Sequence, residues 1–195
     1  MRSGVRLSAF SFSARLISAM ALACAASLAQ AQPVQTPDMG SNHSAGMSGG
    51  WGLRVGYNSD YRKIGLMYET PTWWSHQSQN GWGRLDLGAE LGVSYWKAEH
   101  GKPDSMWQLS ATPMLRWWPS DAFYAEIGIG ATVLSRTHFA GHDLSTAYQF
   151  GDHIGVGTVI GAHRIGLRYS HFSNAGLKKP NPGLDLLQLT YTYQF

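Results

Sequence analysis

The sequence predicts an all-β fold, an eight-stranded antiparallel β-barrel that crosses a membrane, and three observations predict it. Alternation between apolar and other residues, with a period of two, recurs eight times between Trp51 and Phe195. The set opposite the apolar one combines glycines with both signs of charge, and tryptophans and tyrosines gather near the ends of the stretches. A soluble sandwich or a lipocalin-like barrel also alternates, so the period alone leaves the solvent open. The polar set helps to decide. In a narrow eight-stranded barrel, opposed charges can pair as an internal plug while glycines relieve crowding. The apolar set then faces lipid between aromatic girdles.

The stretches run as follows, with each set pointing to its own face. Trp51, Leu53, Val55 and Tyr57 alternate with Gly52, Arg54 and Gly56. Ile64, Leu66 and Tyr68 alternate with Lys63, Gly65, Met67 and Glu69. The third is the clearest: Leu85, Leu87, Ala89, Leu91, Val93 and Tyr95 oppose Arg84, Asp86, Gly88, Glu90, Gly92, Ser94 and Trp96. In the fourth, Trp107, Leu109, Ala111, Pro113, Leu115 and Trp117 oppose Gln108, Ser110, Thr112, Met114 and Arg116. The fifth sets Phe123, Ala125, Ile127, Ile129, Ala131 and Val133 against Tyr124, Glu126, Gly128, Gly130 and Thr132. Ile154, Val156, Thr158 and Ile160 then oppose His153, Gly155 and Gly157. Ile165, Leu167 and Tyr169 oppose Gly166, Arg168 and Ser170, and Leu187, Leu189, Tyr191, Tyr193 and Phe195 close the series. Turn-like segments such as Pro119-Ser120-Asp121 separate the strands, and Trp73, Trp74, Trp117 and Trp118 suit the interfacial belts. Alternating aromatics up to a terminal Phe195 resemble the end of a bacterial outer-membrane barrel. With a periplasmic N-terminus, odd strands run outward, and residues 174–183 lie at the outer rim.

The first 31 residues read as a signal peptide. Arg2, Arg6 and Arg15 flank an apolar run, Leu16 to Leu28, and Ala29-Gln30-Ala31 supplies small residues for cleavage. The run is too short for a stable spanning helix. A lipoprotein signal, Ala21-Leu22-Ala23 before Cys24, is the rival reading. Cys24 is the only cysteine, so the chain beyond residue 31 has no thiol to manage in an oxidising compartment. Residues 32–50 read as a flexible segment, and residues 51–195 as the barrel. His43 belongs to that linker and is read as solvated. The formal charge of +3 also comes from the leader, since 12 basic and 12 acidic residues remain beyond it. That balance excludes a basic nucleic-acid footprint. Charged residues make up 14% of the chain, against about a quarter in soluble domains.

Polar residues on the lipid-facing parity cost free energy and call for a reason. His171 and Ser173 continue the apolar parity of Ile165, Leu167 and Tyr169, and Asp185 falls on the same parity of the last strand. All three should emerge on one outer wall, on adjacent antiparallel strands. Hydroxyl, imidazole and carboxylate in that order make a serine-hydrolase set of nucleophile, base and orienter. Read from the residues alone, the trio also fits polar side chains at a water interface.

The segment His171-Phe172-Ser173-Asn174-Ala175-Gly176-Leu177-Lys178-Lys179-Pro180-Asn181-Pro182-Gly183 resembles the signature of the lipid A 3-O-deacylase (PagL) family. Looser similarity extends over Trp73-Trp74, residues 81–96 and Glu126-Ile127-Gly128-Ile129-Gly130. The resemblance implies an outer-membrane esterase that removes the 3-hydroxyacyl chain at the 3-position of lipid A in lipopolysaccharide. Ser173 matches the nucleophile and His171 the general base. Asn174 and Asn181 match active-site positions associated with the oxyanion, and a backbone N–H near Gly176 is a further donor. The third member is typically glutamate, whereas Asp185 stands here, one methylene shorter. Lys178 and Lys179 fit either lipid A phosphates or plain surface charge.

Other groupings carry less. His138, His142 and Asp143 fall in the segment between the fifth and sixth strands, read as polar loop, and His-x3-His spacing binds metal mainly on a helix. His153 faces inward and joins the polar plug. No sequence pattern supports a cofactor or a metal, and eight strands leave no pore. The rival function is a non-enzymatic barrel for envelope anchoring or adhesion, and an acyltransferase would need similar lipid access. A homodimer would cover part of the lipid-facing wall, and no residue pattern decides it.

Overall fold

The structure is a computed structural model that describes residues 49–195. The signal peptide, Cys24, His43 and nearly all of the flexible segment lie outside the described residues. Eleven strands follow in order: β1 (Gly50–Tyr57), β2 (Tyr61–Glu69), β3 (Trp74–Gln77), β4 (Arg84–Ala98), β5 (Ser105–Trp118), β6 (Phe123–Leu134), β7 (His138–Phe139), β8 (His142–Asp143), β9 (Tyr148–Ile160), β10 (His163–Ser173) and β11 (Leu184–Gln194). The eight long ones are those that alternation marks. Each pairs antiparallel with the next, and β1 pairs with β11 from Gly50↔Gln194 to Tyr57↔Leu187, which closes the sheet. Closure leaves the paired sheet without a free edge along the wall. Gly161, at φ +60°, makes the two-residue turn from β9 to β10, a position that favours glycine.

Two elements escape the periodic reading. β2 ends at Glu69, but β4 is 15 residues long, and β3 covers the remainder from Trp74↔Leu87 to Gln77↔Arg84. Pro71 cannot donate to the ladder there. Instead Thr70 N–H donates to Ala89 O at 2.9 Å, and Ala89 N–H donates back to Thr70 Oγ1 at 3.0 Å. The four residues of β3 are all exposed and carry no alternation. The segment read as polar loop between β6 and β9 contains the hairpin β7–β8, with Ala140 and Gly141 at positive φ in its turn. Its purpose is packing, since Phe139 and the following Leu144 are both buried.

The interior is a polar plug. Arg116 grips Glu69 with both terminal nitrogens at 2.9 Å, Glu90 at 3.0 Å, and Glu126 through Nε at 3.0 Å. Arg168 donates to Glu90 at 2.8 and 2.9 Å and to Glu126 at 2.8 and 2.6 Å. Arg54 reaches Glu90 at 2.9 Å, and Arg164 holds Glu69 through both terminal nitrogens. Arg164 lies just before the alternating stretch of its strand and joins the plug unannounced. The plug thus draws on six of the eight barrel strands. A void of about 10 Å³ among Arg54, Lys63, Glu90, His153 and Arg168 is of the order of one water. His153 sits inside as expected, with Nδ1 2.7 Å from Ser170 Oγ.

Towards the β10–β11 end the interior turns apolar. Tyr61, Trp96, Met106, Leu134, Phe139, Leu144, Phe172, Leu184 and Leu186 form one buried cluster above the charges. The outer wall exposes Leu53, Ile64, Leu109, Ile127, Val156, Leu167 and Leu189, in line with a lipid-facing surface. Trp118 corrects the belt assignment. Consecutive strand residues face opposite sides, so Trp117 is outside while Trp118 is 2% exposed inside. There it lies under the Arg84 guanidinium, 5.2 Å from the ring centre. Trp73 and Trp74 are both exposed, because Trp73 precedes the strand.

Glu90 receives three arginines, so its removal strands buried charge. Glu90→Ala should cost about 3–5 kcal/mol, read as a lower urea midpoint for the barrel refolded in lipid vesicles.

Candidate active site

Alternation builds the site from both sides of the wall. Phe172 points inward and is buried, 5.4 Å ring to ring from Trp96 and 5.6 Å from His153, with Lys63 Nζ 4.9 Å from its ring centre. Its neighbours His171 and Ser173 therefore belong to the outer parity. On β11, Leu184 and Leu186 anchor inward in the same cluster and leave Asp185 outside. The register sets His171 directly opposite Asp185. Facing residues in an antiparallel pair stand close enough for side chains to meet, and His171 Nδ1 lies 2.7 Å from Asp185 Oδ1. An aspartate is therefore long enough at this register.

Three more groups fasten Asp185. Tyr169 donates its hydroxyl to the same Oδ1 at 2.6 Å. β1 has ended at Tyr57, so the backbone of Asp185 has no strand partner on that side. Tyr61 replaces it: Asp185 N–H donates to the Tyr61 hydroxyl oxygen at 2.9 Å, and that hydroxyl donates to Asp185 O at 3.1 Å. Asn58 Nδ2 donates to the same carbonyl at 2.8 Å. On the other flank of His171, Asp152 of β9 occupies the facing register position.

Ser173 closes β10 and is 8% exposed although it shares the outer parity. Among the described residues no hydrogen bond joins Ser173 to His171. A proton on Nδ1 serves Asp185, which leaves Nε2 with the lone pair that a hydroxyl proton needs.

The loop 174–183 is built around Asn174, which is fully buried. Its N–H donates to Asn181 Oδ1 at 3.1 Å, and its side-chain amide donates to Lys178 O at 2.8 Å and Leu144 O at 3.3 Å. Its Oδ1 accepts Gly176 N–H at 2.9 Å, and Gly176 stands at φ +80°. The three residues matched to the oxyanion side thus bond to one another within the loop. Lys178 and Lys179 are exposed. At the far end Gly183 has φ +73°, and a Cβ there would stand 2.6 Å from His171 Cε1. The bare Gly183 backbone is the wall against which the imidazole rests.

Residues 62–194, a span holding His171, Ser173 and Asp185, match the family described as lipid A 3-O-deacylase (PagL). The chain belongs to this family. It is 56% identical over 178 residues to the lipid A deacylase PagL of Bordetella bronchiseptica, covering 90% of this chain and 92% of that one. It is 29% identical over 177 residues to the lipid A deacylase PagL of Pseudomonas aeruginosa, covering 88% and 94%. A crystal structure of the outer membrane enzyme PagL superposes with a TM-score of 0.62 at 28% identity, over 75% of this chain and 99% of that one.

Within this PagL-family barrel, sequence reasoning missed Asp152, Tyr61, Asn58 and the Tyr169 contact. Asp152 carried a legible signal, being a charge on the parity of Ile154 and Val156, the same mark that singles out His171. Tyr61 and Asn58 carried none, because their contacts with Asp185 span more than 120 residues.

The Gly183 wall is testable. Gly183→Ala should displace the His171 ring and reduce deacylation by roughly 10²-fold, the effect of a shift of about 1 Å, with the circular dichroism of the barrel unchanged.

Proposed function

We propose that this protein is an outer-membrane esterase that hydrolyses the ester-linked 3-hydroxyacyl chain at the 3-position of lipid A, through Ser173, His171 and Asp185. The observation that carries the reading is the 2.7 Å His171–Asp185 pair on the outward wall, at the strand end that also bears Ser173. Family membership supports lipid A as substrate. With a periplasmic N-terminus the site opens into the outer leaflet. There the exposed Ile165, Leu167, Leu187 and Leu189 give acyl chains an apolar wall to lie along.

The chemistry then follows from the pair. His171 Nε2 takes the Ser173 proton as Oγ attacks the ester carbonyl, and Asp185 stabilises the imidazolium that forms. The tetrahedral oxyanion is met by N–H groups of the 174–183 loop. Asn174, Gly176 and Asn181 hold hydrogen bonds among themselves. A bond to a developing anion is about twice as strong as a neutral one, so exchanging one for the other favours the transition state. Collapse breaks the ester C–O bond, and His171 returns its proton to the departing sugar oxygen at position 3. Water, deprotonated by His171, then splits the acyl-serine and releases the 3-hydroxy fatty acid. The rim position gives that water its access.

Mass spectrometry of lipid A from cells making the protein tests the reading. One ester-linked hydroxyacyl chain should be lost with the wild type and retained with Ser173→Ala, whose barrel should still shift on heating in gels. Undiminished cleavage by folded Ser173→Ala would remove the assignment, and a gain in mass would indicate acyl transfer.

A further inference from the structure

Asp185 Oδ1 receives two donors, His171 Nδ1 at 2.7 Å and the Tyr169 hydroxyl at 2.6 Å. Tyr169 lies on the outer parity of β10, paired in register with Leu187, so Asp185 is its diagonal neighbour. That separation is within reach of an aromatic side chain but not of a short one. The Asp185 side chain is 43% exposed at the end of the apolar wall. Among the described residues, its carboxylate has no hydrogen-bond donor besides these two. Held by His171 alone, such a carboxylate is free to turn about its own side-chain bonds towards water. The second donor removes that freedom.

We propose that Tyr169 is a positioning residue: its hydroxyl fixes the Asp185 carboxylate in the rotamer that meets His171 Nδ1. This rests on the Ser173–His171–Asp185 reading and deepens it. Tyr61 and Asn58 complete the device at the backbone, where they hold the Asp185 N–H and carbonyl. Main chain and side chain of the acid are thus fastened separately. The charged and titratable groups facing His171 are Asp185 on β11, Asp152 on β9 and Tyr169 on its own strand.

Tyr169→Phe removes one oxygen from an exposed ring and leaves the barrel intact. Kinetics on lipopolysaccharide in detergent micelles should show kcat lower by about tenfold, the scale of one hydrogen bond to a charged group, with KM unchanged. The acid limb of the kcat/KM profile should move to lower pH, because a carboxylate released towards water stabilises the His171 imidazolium less. A structural role would lower the folded fraction and leave that limb in place. Asp185→Ala is measured alongside. If Asp185→Ala is inactive while Tyr169→Phe keeps wild-type kcat and pH profile, the positioning role is overturned and the triad stands. If folded Asp185→Ala retains full activity, the triad reading itself fails.

Discussion

Four arginines and three glutamates meet inside the barrel, and their mutual pairing allows the outside to be apolar. A buried charge without a partner would be driven towards water. Here each carboxylate is shared by at least two guanidinium groups contributed by different strands. The network therefore ties distant strands together across the interior, a task that core packing performs in ordinary domains. It also packs closely: the void among Arg54, Lys63, Glu90, His153 and Arg168 is on the order of a single water. With the inside occupied, any chemistry on a membrane-sized molecule has only the wall and the rim to use.

The site turns that constraint to use through strand alternation. Each residue of the proposed triad is chained to inward neighbours packed in the apolar cluster: Phe172 between His171 and Ser173, Leu184 and Leu186 around Asp185. Interior packing thereby fixes exterior geometry, with no pocket needed to hold the side chains. The β7–β8 hairpin contributes from farther away, because Phe139 and Leu144 complete the cluster and Leu144 O accepts from Asn174. A segment that looks like spare loop thus braces the floor of the site.

What could be read from the sequence follows from what leaves a periodic trace. The eight barrel strands announce themselves because membrane outside and charge inside impose opposite chemistry on successive residues. β3 and the β7–β8 hairpin are too short to show a period. Trp118 was misplaced by residue type, when parity with Arg116 already put it inside. His171, Ser173 and Asp185 stood out as polar residues on an apolar parity, and the same rule applied to Asp152 would have found it. The grip of Tyr61 and Asn58 on Asp185 depends on where β1 happens to end. Barrel closure alone brings those residues together, so no local pattern records it.

A side chain at the last residue of a strand has a fixed height. Ser173 closes β10, so its elevation is set by a count of residues along a ladder that cannot slip by one residue without turning every side chain to the wrong face. Antiparallel strands rise about 3.4 Å per residue. A two-residue change in β10 would carry the hydroxyl roughly 7 Å along the strand. With Ser173 as the proposed nucleophile, the barrel selects among esters by depth, as a gauge does, in addition to any selection by shape.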